Sequence, residues 1–191
     1  MILFINACVR EESRTKLLAD CVLSRIAATT NDEITEVRLD EIDFGPTDAE
    51  YLELRDELIA DGNFEAPEFK LANQFCCAER IVIAAPYWDL SFPASLKQYF
   101  EKINVPGITF YYTPEGIPKG LCRAKELIYV TTAGGNYVPD EYGFGYVKAL
   151  AQGYYGIQDF RLIQATGLDI YGADVEQIMR DAMGRIPQVL S

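Results

Sequence analysis

A chain of 191 residues with 49% hydrophobic composition can bury a substantial core as one domain spanning 1–191. Its 17 basic and 29 acidic residues leave a net charge of −12, which repels phosphate backbones and anionic lipid, so neither nucleic acid nor membrane is an expected partner. The absence of histidine removes His-based triads and the usual zinc sets, no metal site is expected, and no uncharged apolar run reaches the length of a membrane span.

Met1-Ile2-Leu3-Phe4-Ile5 has neither a preceding basic region nor a small-residue cleavage pattern. It reads as a first strand of a cytoplasmic protein rather than as a signal segment. Apolar runs occur at 2–7, 34–39, 81–85, 127–131 and 160–165. Between them stand faces with helical spacing: Leu17, Leu18, Cys21, Val22 and Ile26; Leu96, Tyr99, Phe100 and Ile103; Val147, Leu150 and Ala151; Val175, Ile178, Met179 and Met183. Five strands alternating with helices predict an α/β fold, a doubly wound parallel sheet covered on both faces. Residues 41–73 are long for one crossover and carry helical material around 49–59 and 69–76. Residues 105–122 contain Ile108-Thr109-Phe110-Tyr111-Tyr112-Thr113 and then the turn signal Pro114-Glu115-Gly116, which predicts a hairpin excursion. The five cysteines are odd in number and irregularly spaced, the pattern of buried reduced thiols, and the vicinal pair Cys76-Cys77 falls at a helix end with no assigned role.

In a parallel sheet the loops that follow the strands gather at one edge, where ligands bind. The first, Ala7-Cys8-Val9-Arg10-Glu11-Glu12-Ser13-Arg14-Thr15, leads into a helix. Ser13, Thr15 and the free amides there suit a phosphate, although Ser13 could equally be a plain N-cap. The same loop spells Cys8-x5-Arg14-Thr15, the nucleophile-plus-arginine spacing of tyrosine phosphatases. Against that rival stand Glu11 and Glu12, the lack of glycine in the loop, and the lack of an Asp-Pro-aromatic acid loop late in the chain.

The second loop, Pro86-Tyr87-Trp88-Asp89-Leu90-Ser91-Phe92, sets two large rings at the mouth of a buried strand, with Pro93 expected at the first helical position after it. The third, Thr131-Thr132-Ala133-Gly134-Gly135-Asn136-Tyr137, offers paired glycines that permit positive φ and close backbone approach. No dinucleotide fingerprint competes, since Gly143-x-Gly145 lacks its third glycine and does not follow a strand directly. A phosphate tail on a planar heterocycle satisfies all three loops, and flavin mononucleotide, FMN, has that shape.

Tyr87-Trp88-Asp89-Leu90-Ser91-x-Pro93-x-x-Leu96-Lys97 resembles the flavin loop of the FMN-dependent NADH-azoreductase and NAD(P)H quinone dehydrogenase family. Val105-Pro106-Gly107-x-Thr109-Phe110-x-Tyr112, Gly120-Leu121, the Thr132–Gly135 loop and Tyr146-Val147…Gly153-Tyr154-Tyr155-Gly156-Ile157 extend the likeness nearly end to end. The resemblance implies a flavodoxin-like fold with strand order 2-1-3-4-5 and a homodimer with FMN at each interface. Ser13, Arg14 and Thr15 would hold the phosphate, Pro86 and Tyr87 to Leu90 would frame the ring, and Thr132 to Gly135 with Tyr137 would meet its other edge. NADH or NADPH would pass a hydride to flavin N5, and a small quinone, azo or nitro compound would then take it, so no side chain need act as a nucleophile. This chain departs from the family in having Ala7-Cys8 where an early Ser is common, in its shorter acidic loop, and in Asp89 where an Asn is usual. Asp89 should therefore either face outward or lower the flavin potential. A flavodoxin-type electron-transfer module and a flavin-free regulatory protein of the same fold are the alternatives.

Overall fold

The computed structural model describes residues 1–190. In chain order its elements are β1 (Ile2–Asn6), α1 (Arg14–Ala27), β2 (Ile34–Arg38), α2 (Ala49–Ala60), α3 (Lys70–Cys77), β3 (Arg80–Ala84), α4 (Ala94–Ile103), β4 (Phe110–Tyr112), β5 (Pro118–Gly120), β6 (Glu126–Thr132), α5 (Phe144–Leu150), β7 (Asp159–Ala165) and α6 (Val175–Val189). Five parallel strands form one sheet in the order β2-β1-β3-β6-β7. Numbered among themselves, these strands have the expected order 2-1-3-4-5.

The apolar runs explain the sheet. β1 is buried at every position and β3 and β6 at all but their first, because helices cover both faces of a central parallel strand. The outer strands β2 and β7 alternate more, as edges do. Leu3 and Ile5 face a core shared with Phe75, Tyr99, Phe100 and Val147, while Ile2 and Phe4 face Leu18, Val22, Met179 and Ile186 on the other side. Each such side chain contributes roughly 1.5–3 kcal/mol when fully buried. Among the described residues, no helix is long and apolar enough to cross a membrane.

Two local expectations need correction. The buried stripe of α1 is Leu18, Ala19, Val22 and Ile26, whereas Leu17 is 53% exposed, because residues 18, 22 and 26 repeat at the helical spacing and residue 17 points away. Pro93 stands one residue before α4, in an extended conformation, so its fixed φ ends the loop rather than beginning the helix.

The excursion at 105–122 is a two-stranded antiparallel hairpin with Phe110 opposite Gly120. Its base rests on the π-helical turn Ala151–Tyr155 that ends α5, and a Cβ at Gly120 would collide with the backbone of Tyr155. Tyr155 is locked from the other side, where its hydroxyl donates to Asn104 Oδ1 at 2.7 Å and its ring meets Phe75 at 4.6 Å. Over residues 41–73 the chain forms α2, which carries no buried side chain, and then reaches α3 through a short 3-10 turn, Pro67–Phe69.

Candidate functional site

The first loop turns at Asn6. Its Oδ1 accepts the Cys8 N–H at 3.0 Å while its Nδ2 donates to Glu36 Oε1 at 2.8 Å, so the end of β1 is braced from both sides. Ser13 is the N-cap of α1 and its Oγ accepts the Lys16 N–H at 3.2 Å. The amides of Arg14 and Thr15, at the first two positions of the helix, remain directed out of its end. Thr15 is buried, with its Oγ1 2.6 Å from Thr132 Oγ1, which joins the first loop to the end of β6 across 117 residues of sequence. In that pair one hydroxyl donates and the other keeps its proton free for a further acceptor.

Cys8 does not behave as a phosphatase nucleophile. It is 4% exposed, its Sγ lies toward Ala84 O at 3.9 Å, and burial pushes its thiol up rather than down. A nucleophilic cysteine needs the opposite shift.

The second loop leaves β3 still bonded to its neighbour, with the Tyr87 N–H donating to Thr132 O at 3.0 Å. A tight turn follows, closed by reciprocal Trp88–Ser91 bonds of 3.1 and 2.7 Å. At its corner Asp89 and Leu90 have φ of 48° and 66°. The left-handed region that the third-loop glycines would permit is adopted here instead, on two residues with side chains, at a cost of roughly 1–2 kcal/mol each. Ser91 Oγ donates to Tyr142 O at 2.6 Å and holds the turn against the segment before α5. Asp89 is exposed, the outward of its two expected placements. The Tyr87 hydroxyl is buried without a partner. Burial, followed by the proximity of Tyr137, raises its pKa, so the phenol stays protonated as a donor.

At the third loop, a Cβ on Gly134 would run into the Asp169 carboxylate, so a side chain there would have to displace it from its place beside Arg14. Asp169 belongs to a fourth loop, after β7, beyond the three singled out in the sequence. Its amide donates to Gly134 O at 2.9 Å, the Leu168 amide to Ala133 O at 3.2 Å and the Gly167 amide to Gly135 O at 3.0 Å. The Asp169 carboxylate holds Arg14 at 2.8 Å, bridging the fourth loop to the start of α1. The signal was available, because β7 is parallel to its neighbours and must deliver its loop to the same edge.

These loops enclose a cleft of about 330 Å³. Of the residues expected at the site, Ser13, Arg14, Thr15, Pro86, Tyr87, Trp88, Thr132, Ala133 and Gly134 line it, joined by Val9, Arg10, Glu12, Leu168 and Asp169. Asp89, Leu90, Gly135 and Tyr137 do not line it and lie exposed around its mouth. Arg10 and Arg14 balance Glu12 and Asp169, so the lining carries no net charge despite the acidic chain. A larger cavity of about 840 Å³ lies beside β2, α2 and α3, shares no residue with the cleft, and has the buried Lys102 ammonium 3.3 Å above the Tyr51 ring in its wall.

Known proteins agree with this architecture. The chain is 39% identical over 189 residues to an FMN-dependent NADH:quinone oxidoreductase of Lachnoclostridium phytofermentans, covering 94% of this chain and 92% of the relative. It is 37% identical over 190 residues to FMN-dependent NADH:quinone oxidoreductase 2 of Clostridium acetobutylicum, covering 95% and 94%. Among solved structures, an azoreductase from Bacillus anthracis str. Sterne superposes with a TM-score of 0.85 at 25% identity, over 98% of this chain and 97% of that one. The protein family described as having the flavodoxin-like fold matches residues 1–190, and the chain belongs to it.

Proposed function

We propose that this chain is an FMN-dependent NADH:quinone oxidoreductase with azoreductase capacity, working as a homodimer. The observation that carries the reading is the meeting, in one cleft, of a helix start bearing Ser13, Arg14 and Thr15 with an aromatic turn bearing Tyr87 and Trp88. The names borne by the similar proteins support it across nearly the whole chain.

The residues present fit FMN. The cleft falls at the lower end of the roughly 300–1,000 Å³ usual for ligand sites. The buried Tyr87 hydroxyl lacks a partner, which a polar ligand edge would supply. The Arg14 and Thr15 amides, the free proton of the Thr15–Thr132 pair, and the Arg14 guanidinium converge where a phosphate would lie. Trp88 and Tyr87 would frame the planar ring, while Ala133 and Gly134 leave its far edge open to backbone contact. Asp89, Leu90, Gly135 and Tyr137 would act at the rim, where Tyr137 stands 77% exposed. When bound, FMN supplies hydride transfer from NADH, or NADPH as the alternative reductant, to a quinone, azo or nitro acceptor in two successive half-reactions. The protein's part is to hold, orient and shield. Exposed Tyr111, Tyr112, Ile117 and Tyr142 support the homodimer, since so many large side chains are unusual on a surface meant for water alone.

The test is direct. Purified protein is expected to titrate with FMN, to run as a dimer on a sizing column, and to oxidise NADH only when a quinone is supplied. Tight FMN binding without NADH turnover would overturn the enzyme reading in favour of an electron-transfer module.

A further inference from the structure

Three cysteines converge at the edge of the sheet opposite the cleft. α3 ends at Cys77, and the strap leaving the β4–β5 hairpin runs through Leu121, Cys122 and Arg123 toward β6. Backbone bonds lace the two together: the Arg123 N–H donates to Cys76 O at 3.0 Å and the Lys125 N–H to Glu79 O at 3.2 Å. Cys122 is thereby set beside Cys76, whose Sγ reaches the carbonyl of the preceding Leu121. The two thiols lie close enough to interact. Cys76 Sγ also faces Ile108 O at 3.1 Å and Leu121 O at 3.4 Å, and Cys122 Sγ donates to Thr109 O at 3.6 Å. Cys76 and Cys122 are half-buried, whereas Cys77 is exposed.

We propose that Cys76 and Cys122 are a reversible oxidation site, joined by hydrogen peroxide into a disulfide that ties the end of α3 to the base of the β4–β5 hairpin.

The local chemistry orders the two roles. The interaction with Cys122 pulls Cys76 down, burial opposes it, and the Arg123 charge adds to the pull, leaving the Cys76 thiol at about 7. The same interaction and burial push Cys122 well up. Cys76 is therefore the attacking sulfur, and Cys122 resolves. The Cys76 thiolate attacks one peroxide oxygen, the O–O bond breaks, and the departing hydroxide takes a proton from solvent to leave as water. Cys76 is then a sulfenic acid. The Cys122 sulfur attacks it, the S–O bond breaks, and the hydroxide leaves as water with the Cys122 proton. Two thiols and one hydrogen peroxide give one disulfide and two waters, with two electrons passing from sulfur to oxygen. A dithiol reverses the reaction. None of the three cysteines lines the cleft, so FMN binding is expected to survive oxidation.

FMN-loaded protein treated with an equivalent of hydrogen peroxide, blocked with iodoacetamide and mapped by non-reducing peptide mass spectrometry tests this. Wild type and C77S are expected to lose two free thiols and to yield one peptide pair joined through Cys76 and Cys122, undone by dithiothreitol. C122S is expected to stop at a dimedone-reactive sulfenic acid on Cys76, and C76S to keep Cys122 reduced. Closing the loop between the two cysteines is expected to raise the thermal midpoint in wild type and C77S but not in C122S. Cys76 faces Cys122 and Arg123, and its alkylation in untreated protein is expected to rise with pH, half-way near 7, as the thiolate appears. A link through Cys77, oxidation of Cys122 in C76S, no thiol loss in wild type, or alkylation half-way at the ordinary thiol value would each overturn the assignment.

Discussion

At the amino edge of the sheet Glu126, largely buried, sits between Arg80 at 2.8 Å and Arg161 at 3.5 Å and ties β3, β6 and β7 together. At the carboxyl edge the comparable ion pair, Arg14 with Asp169 at 2.8 Å, joins two loops, with both side chains substantially exposed. The first edge is tied together by charge within the sheet itself. The second holds the left-handed pair Asp89 and Leu90 and the unpartnered hydroxyls of Tyr87 and Thr131. Strain and unmet hydrogen bonds persist only where the surrounding structure over-determines them, and they concentrate at working sites. Stability and binding are thus separated by the length of the strands, and changes at one end should leave the other intact.

Three substitutions can break or sharpen that contrast. The largest effect is expected from Phe75→Ala, in the core beneath α3, where the ring is fully buried against Tyr155 and Tyr99. It should cost about 3–5 kcal/mol of stability in urea unfolding, with the FMN affinity of the folded fraction unchanged. A parallel loss of affinity would show that the two edges are coupled. Next is Arg14→Gln at the cleft. FMN affinity should fall about tenfold, equivalent to ~1.4 kcal/mol, while stability changes by less than about 1 kcal/mol because the ion pair is exposed. Unchanged affinity in a titration would remove Arg14 from the phosphate site. The smallest effect is expected from Leu90→Gly, which relieves a φ of 66°. The thermal midpoint should rise by the equivalent of about 0.5–1 kcal/mol, less than the full left-handed penalty because glycine is also freer when unfolded. A fall instead would mean that the Leu90 side chain stabilises the turn more than its backbone strains it.

The strands were legible because each apolar run is short, bounded and nearly continuous, and the observed ends shift by a residue at most from 2–7, 34–39, 81–85, 127–131 and 160–165. Most of the cleft was legible too, since a parallel sheet decides which loops meet. What escaped was information carried by distant partners. Nothing near Thr15 in sequence announces Thr132, and nothing near Gly134 announces the Asp169 carboxylate that crowds it. Leu17 looked like core because apolarity alone does not give the phase of a helix. Asp89 and Leu90 carried no left-handed signal, because glycine is the residue that usually marks such a turn.

The seat of the β4–β5 hairpin on α5 has a consequence for how this chain can change over generations. Position 120 must be glycine because the π turn at Ala151–Tyr155 brings the Tyr155 backbone against it. A π turn amounts to one extra residue in a helix. A lineage that loses that residue draws the helix away and frees position 120 for a side chain, whereas one that gains a side chain first meets backbone. The two positions are bound to each other through that contact: a side chain at position 120 needs the Tyr155 backbone to move first.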